Sequence, residues 1–157
     1  MSELNDEKQR EIIEMISQSH NNEEVNYLGS NRFVLRKPLM TEAISGEKVL
    51  IYQDILFDEG GNQIELSKQY NSIFTFRFGI AIVCLRKNFE IKNGYSSMER
   101  KYGVINTKGE EVIPCEYDAI KLSADGYIEF SKLGRRKWTY AKDIIDGSFD
   151  WESAIEV

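Results

Sequence analysis

Residues 101–120, KYGVINTKGEEVIPCEYDAI, constrain the fold of this chain more than any other stretch. Tyr102, Val104 and Ile105 favour a pleated, half-buried surface. Asn106-Thr107-Lys108-Gly109 then reads as a type I turn, with Asn at its first position and Gly where φ is positive. Val112 and Ile113 resume the apolar run, and Pro114 is expected to close it, because proline cannot donate to a sheet ladder. Two short antiparallel strands around Lys108-Gly109 are the result.

The same grammar recurs upstream. Tyr70-Asn71-Ser72-Ile73 matches Tyr117-Asp118-Ala119-Ile120 at an offset of 47, and Gly79 with Ile80-Ala81-Ile82-Val83 matches Gly126 with Tyr127-Ile128-Glu129-Phe130 at the same offset. Phe57-Asp58-Glu59-Gly60-Gly61 fits 105–109 once one residue is inserted. Turn, tyrosine, glycine and strand return in one order, which is the mark of a repeat whose units bury each other's apolar faces. Val25, Tyr27 and Phe33-Val34-Leu35 around Gly29-Ser30-Asn31 read as a worn third copy of the last two strands.

The run from Tyr102 to Ile120 resembles the bacterial WG repeat. The positions that carry the resemblance are Tyr102, Gly103, Ile105, Asn106, Lys108, Gly109, Ile113, Pro114, Tyr117, Asp118 and Ile120. Tyr102 replaces the Trp, and Lys137-Trp138-Thr139-Tyr140 keeps a Trp but has Thr where Gly belongs. The good copy spans about 101–140 and a degraded one about 48–88. The resemblance implies a β-rich bacterial repeat protein acting as a binding or accessory module, and it brings no catalytic residues with it.

The fold class expected is therefore mostly β, antiparallel hairpin repeats in a curved or propeller-like sheet with an N-terminal helix. Two or three copies are too few for a closed propeller, so the helix and the tail must cover the end strands. Residues 1–24 form an acidic helix and linker, 25–142 the β repeat domain, and 143–157 an acidic tail. The net charge of −6 divides as −5, +4 and −5 over those three parts, which argues against general nucleic-acid affinity. The helix is expected over 3–18, capped by Ser2, with a narrow stripe of Ile12, Ile13 and Ile16. His20, the single histidine, falls in the polar break that follows and is expected to be exposed and idle.

Further along, 38–48 reads as a connection and 48–57 as a long strand buried on both faces. Phe74, Phe76 and Phe78 alternate as a core face. Residues 88–100 interrupt the repeat as an elongated hairpin turning at Asn93-Gly94. Cys84 and Cys115 read as reduced, buried thiols of a cytoplasmic protein, and no apolar run reaches the ~18 residues of a membrane span.

Candidate sites are few. Phe89, Tyr95, Met98, Phe149, Trp151 and Ile155 set apolar groups among polar ones outside the repeat, a mixture suited to a protein partner. Lys132, Arg135, Arg136 and Lys137 form a basic hairpin that serves either as an edge-strand guard or as a receiver of a small anionic ligand. Phosphate-loop and nucleophile-elbow motifs are missing, and no His or Cys cluster suggests a metal or cofactor. The reading is a non-catalytic protein-binding module, an immunity or accessory protein in kind. Behind it stand a small anionic-ligand sensor and then an enzyme of unidentified type.

Overall fold

The computed structural model describes residues 2–157. Helix α1 (Asp6–Ser19) is followed by three antiparallel sheets in sequence order. The first contains β1 (Val25–Tyr27), β2 (Phe33–Glu42) and β3 (Lys48–Phe57). The second contains β4 (Ser72–Ile73), β5 (Ile80–Lys92), β6 (Tyr95–Asn106) and β7 (Glu111–Tyr117). The third contains β8 (Ala119–Leu122), β9 (Tyr127–Lys132), β10 (Arg135–Tyr140) and β11 (Ile155–Glu156).

The repeat is visible in the hydrogen bonds. Ser72 pairs with Cys84 and Ile73 with Val83; 47 residues on, Ala119 pairs with Ser131 and Ile120 with Phe130. Even the side-chain tie recurs: Asn71 Oδ1 accepts from Arg86 N at 2.7 Å, and Asp118 Oδ2 from Leu133 N at 3.3 Å. The Asx turns are copies at an offset of 48. Asp58 Oδ1 accepts from Gly60 N and Asn62 N, as Asn106 Oδ1 does from Lys108 N and Glu110 N. Gly61 and Gly109 close these turns at φ +77° and +81°, a region that costs glycine nothing. The single-residue insertion lies between the Asx turn and the tyrosine.

In the first sheet the same ladder register runs through three strands, one more than the two expected. Val25 pairs with Leu35 as Ile120 pairs with Phe130, and Phe33 with Phe57 as Ala81 with Ile105 and Ile128 with Thr139. Each sheet also has a fourth member beside its third strand. In the second and third it is β7 and β11; in the first, the segment around Gln63 and Tyr70, whose Ile64 N donates to Leu56 O and whose Tyr70 O accepts from Asp54 N.

Burial follows from this equivalence. One core lies between α1 and the first sheet, built on Ile12, Ile16, Phe33, Leu35 and Phe57. The next joins Val34 and Leu56 to Tyr70, Ala81, Val83 and Ile105. The third joins Ile80 and Val104 to Tyr117, Ile120, Ile128 and Phe130. Helix and sheets are thus stacked in chain order, and α1 stands where a preceding sheet would stand. Buried Asp54 ties two layers, accepting from Arg36 Nε at 3.1 Å and from Ile73 N at 2.8 Å.

Several expectations need correction. The helix begins at Asp6 with Asn5 as cap, because Ser2 O and Leu4 N are bound to Asn31 in the β1–β2 turn. His20 is half-buried: its Nδ1 meets Ile16 O at 2.8 Å and its ring packs edge-on to Phe57. Pro38 lies inside β2, paired with Tyr52, where β1 has already ended and its missing N–H faces an open edge. Pro114 likewise lies inside β7, among residues between the Tyr102–Tyr117 and Val104–Ile113 pairs. Of the three phenylalanines only Phe76 is buried; Phe78 and Gly79, both at positive φ, form the tight turn between Arg77 and Ile80. The β3 strand is buried on both faces only from Asp54 onward; before it Ile51 is buried on one face, while Leu50 and Tyr52 stand exposed on the other.

Candidate functional site

Two surfaces stand out once the stack is laid out. The first is the pair of long hairpins. Strands β9 and β10 have 6 residues each, while β2 and β3 have 10 each and β5 and β6 have 13 and 12. The excess makes two arms, joined by a small core of Ala43, Ile51 and Phe89 with Leu39, Val49, Ile91 and Met98 around it. Ile44 N donates to Phe89 O at 2.6 Å, locking the arms together. Residues 88–100 are therefore the elongated hairpin expected, and Asn93-Gly94 turns it with both residues at positive φ.

This arrangement separates the candidate partner residues. Phe89 is buried within the arm core and Met98 packs against it, whereas Tyr95 at the tip is 81% exposed. The register also places Met40 opposite Leu50 and Pro38 opposite Tyr52 on one face of the β2–β3 arm. Met40 and Leu50 are 56% and 54% exposed. These residues were missed in the sequence because 38–48 read as a connection, which hid the alternation of β2.

The tail splits in the same way. Phe149 stacks on Phe130 with ring centroids 4.6 Å apart, and Trp151 packs on Tyr117 at 5.7 Å. Both belong to the core between the second and third sheets. Ile155 in β11 points to the other side and is exposed.

The basic hairpin does not gather its charges. Arg135 Nε bonds Glu156 Oε1 at 2.8 Å, Lys132 Nζ lies 3.5 Å from Glu116, and Arg136 Nη1 lies 3.8 Å from Glu129. Lys137 is buried, with Nζ donating to Trp151 O at 2.7 Å and sitting 4.8 Å over the Trp151 ring. Each cation is directed to its own partner, so the four do not converge on one anion. Cys84 and Cys115 are free thiols, not joined in a disulfide; burial pushes both up, Cys115 to about 12. Cys115 is only partly buried.

The second surface is the outer face of the third sheet. Glu129 and Trp138 occupy the positions of Val34 and Leu56 in the first sheet and of Ile82 and Val104 in the second. Those four pack against the next sheet, while among the described residues no sheet lies over Glu129 and Trp138. Tyr127, Glu129, Trp138, Tyr140 and Val157 line a cavity of about 470 Å³ there. Hydrogen-bond register corrects the sequence alignment at this point: Arg136, not Trp138, is the counterpart of Tyr102. That misplacement concealed the face.

No helix among the described residues is long and apolar enough to cross a membrane. A family model described as WG containing repeat matches residues 102–135, from β6 through the β9–β10 turn. No curated protein and no solved structure matches the chain.

Proposed function

We propose, from the WG containing repeat at 102–135 and its two structural copies, that the chain is a non-catalytic protein-binding module whose contact surface is the β2–β3 and β5–β6 arms. The observation that supports this is the exposed side of the first arm. Met40, Leu50 and Tyr52 form an apolar strip across two strands, with Arg36 lying 5.8 Å over the Tyr52 ring. Aromatic, Met and Arg groups are the ones that interfaces favour. Tyr95, at the tip of the second arm, is a separate exposed aromatic group that does not share this face. The reading includes a cytoplasmic setting and an immunity or accessory role, in which the arms cap a surface of the partner.

Affinity capture from the cell that makes the protein tests it, with wild type beside a Met40→Thr/Leu50→Thr variant, whose uncharged, β-favouring pair leaves the strand ladder in place. Both side chains are exposed, so thermal stability should change by less than about 0.5 kcal/mol. The expected outcome is one wild-type partner lost from the variant. Equal capture by both chains would remove the arms as the site.

A further inference from the structure

On the outer face of the third sheet, Tyr127 pairs with Tyr140 and Glu129 with Trp138, so four side chains form a two-by-two block. The Trp138 ring stands at 85° to Tyr140 with centroids 5.3 Å apart, and at 68° to Tyr127 at 6.0 Å. Rings meeting nearly at right angles make a corner, and Glu129 places a carboxylate beside it. With Val157 they line an open hollow of about 470 Å³, a size that admits a small molecule.

The chemistry of the block selects a cation. Aromatic faces carry negative potential, and a carboxylate adds a full charge. The chain's own cations already respond to it: Lys142 Nζ lies 5.6 Å over Tyr140, and Arg136 Nη1 lies 3.8 Å from Glu129. Both distances are long, and the Arg136 side chain is 59% exposed, so neither fills the corner. Nor is the face built for another sheet. Where Val34 and Ile82 meet the next layer with aliphatic groups, this face has Glu129, whose burial under an apolar layer would be costly.

We propose that this block binds a small quaternary ammonium compound of choline type. A trimethylammonium group spreads its charge over methyls that pack against rings, and it loses less hydration than a primary ammonium. The site lies on the third sheet and is independent of the arms and of the partner reading.

The test is calorimetric titration of the full chain with choline and with its neutral isostere 3,3-dimethylbutan-1-ol, following the two tryptophan indole N–H signals by NMR in parallel. Choline should bind saturably and shift the Trp138 signal, while the neutral alcohol should bind at least about tenfold more weakly. Trp138→Leu, which keeps apolar bulk, should weaken choline roughly 5- to 30-fold. Glu129→Gln should weaken it as well, and Arg136→Gln should tighten it by removing a competing cation. Equal binding of alcohol and choline would make this only an apolar hollow. Absence of choline binding to a folded wild type, or weaker binding in Arg136→Gln, would overturn the proposal.

Discussion

Gly103 lies so close to Ile113 that a Cβ built on it would meet the Ile113 carbonyl oxygen at 2.5 Å and Cys115 Sγ at 2.9 Å. The contact arises at the bulge between the Tyr102–Tyr117 and Val104–Ile113 pairs, where β7 carries more residues than β6. The glycine of the repeat motif is therefore required by space and not by a left-handed φ. Gly103→Ala should cost at least the ~1–3 kcal/mol of an overpacked site, since backbone must move. Denaturant unfolding reads this directly; an unchanged midpoint would show that β7 is free to shift.

The two Asx turns make a paired prediction. Asp58 and Asn106 each accept two backbone N–H bonds, at 2.9 and 2.9 Å and at 3.0 and 3.1 Å. Replacing either by Ala should lower stability by about 1–2 kcal/mol, because two donors lose their partner. Asn106→Asp should be nearly neutral, since Asp58 performs the same task in the first copy. A large loss in Asn106→Asp would mean that the Nδ2 bond to Glu110 Oε1, at 3.0 Å, matters more than the turn.

These turns were legible in the sequence because their chemistry is local: an Asx acceptor, a glycine three residues on, and flanking β-formers. So were the Asn93-Gly94 hairpin and the offset of 47. What escaped depends on layers meeting. His20 could not be seen packing on Phe57, nor Pro38 sitting at an edge vacated by the short β1, since neither is encoded within a few residues. The third repeat copy was only half legible because its aliphatic positions persist while its glycine and tyrosine do not. The outer face of the third sheet was hidden by an alignment of Trp138 to the motif's aromatic, two residues out of the register the ladder adopts.

The tail gives a third prediction. Phe149 and Trp151 cover Tyr117 and Phe130, and Lys137 hydrogen-bonds the Trp151 carbonyl. Trp151→Ala should cost ~1–3 kcal/mol, below the full value for a buried Trp because the ring is only partly covered. It should also expose Lys137 and Tyr117 to solvent, measurable as faster amide exchange in β9 and β10. Unchanged stability with loss of a bound partner would turn the tail from a lid into an interface.

Stability should fall steeply at alkaline pH. Burial pushes the Tyr117 phenol up to about 12 from its ordinary value of 10.0, and Cys115 to about 12 from 9.0. Tyr70 is raised too, by burial and then by its hydrogen bond to Glu111 Oε2. In each case the folded state holds its proton where the unfolded chain releases it. Such a group's contribution is complete below the unfolded value and is lost as pH rises through the folded one. The loss should begin near pH 9, deepen through pH 10 as the tyrosines of the unfolded chain ionise, and level off only beyond 12. Tyr117→Phe has no phenol to ionise, so its stability should decline less between pH 10 and 12 than that of the wild type. Urea midpoints across that range decide the matter, and parallel curves for the two chains would show that Tyr117 is not held neutral by the fold.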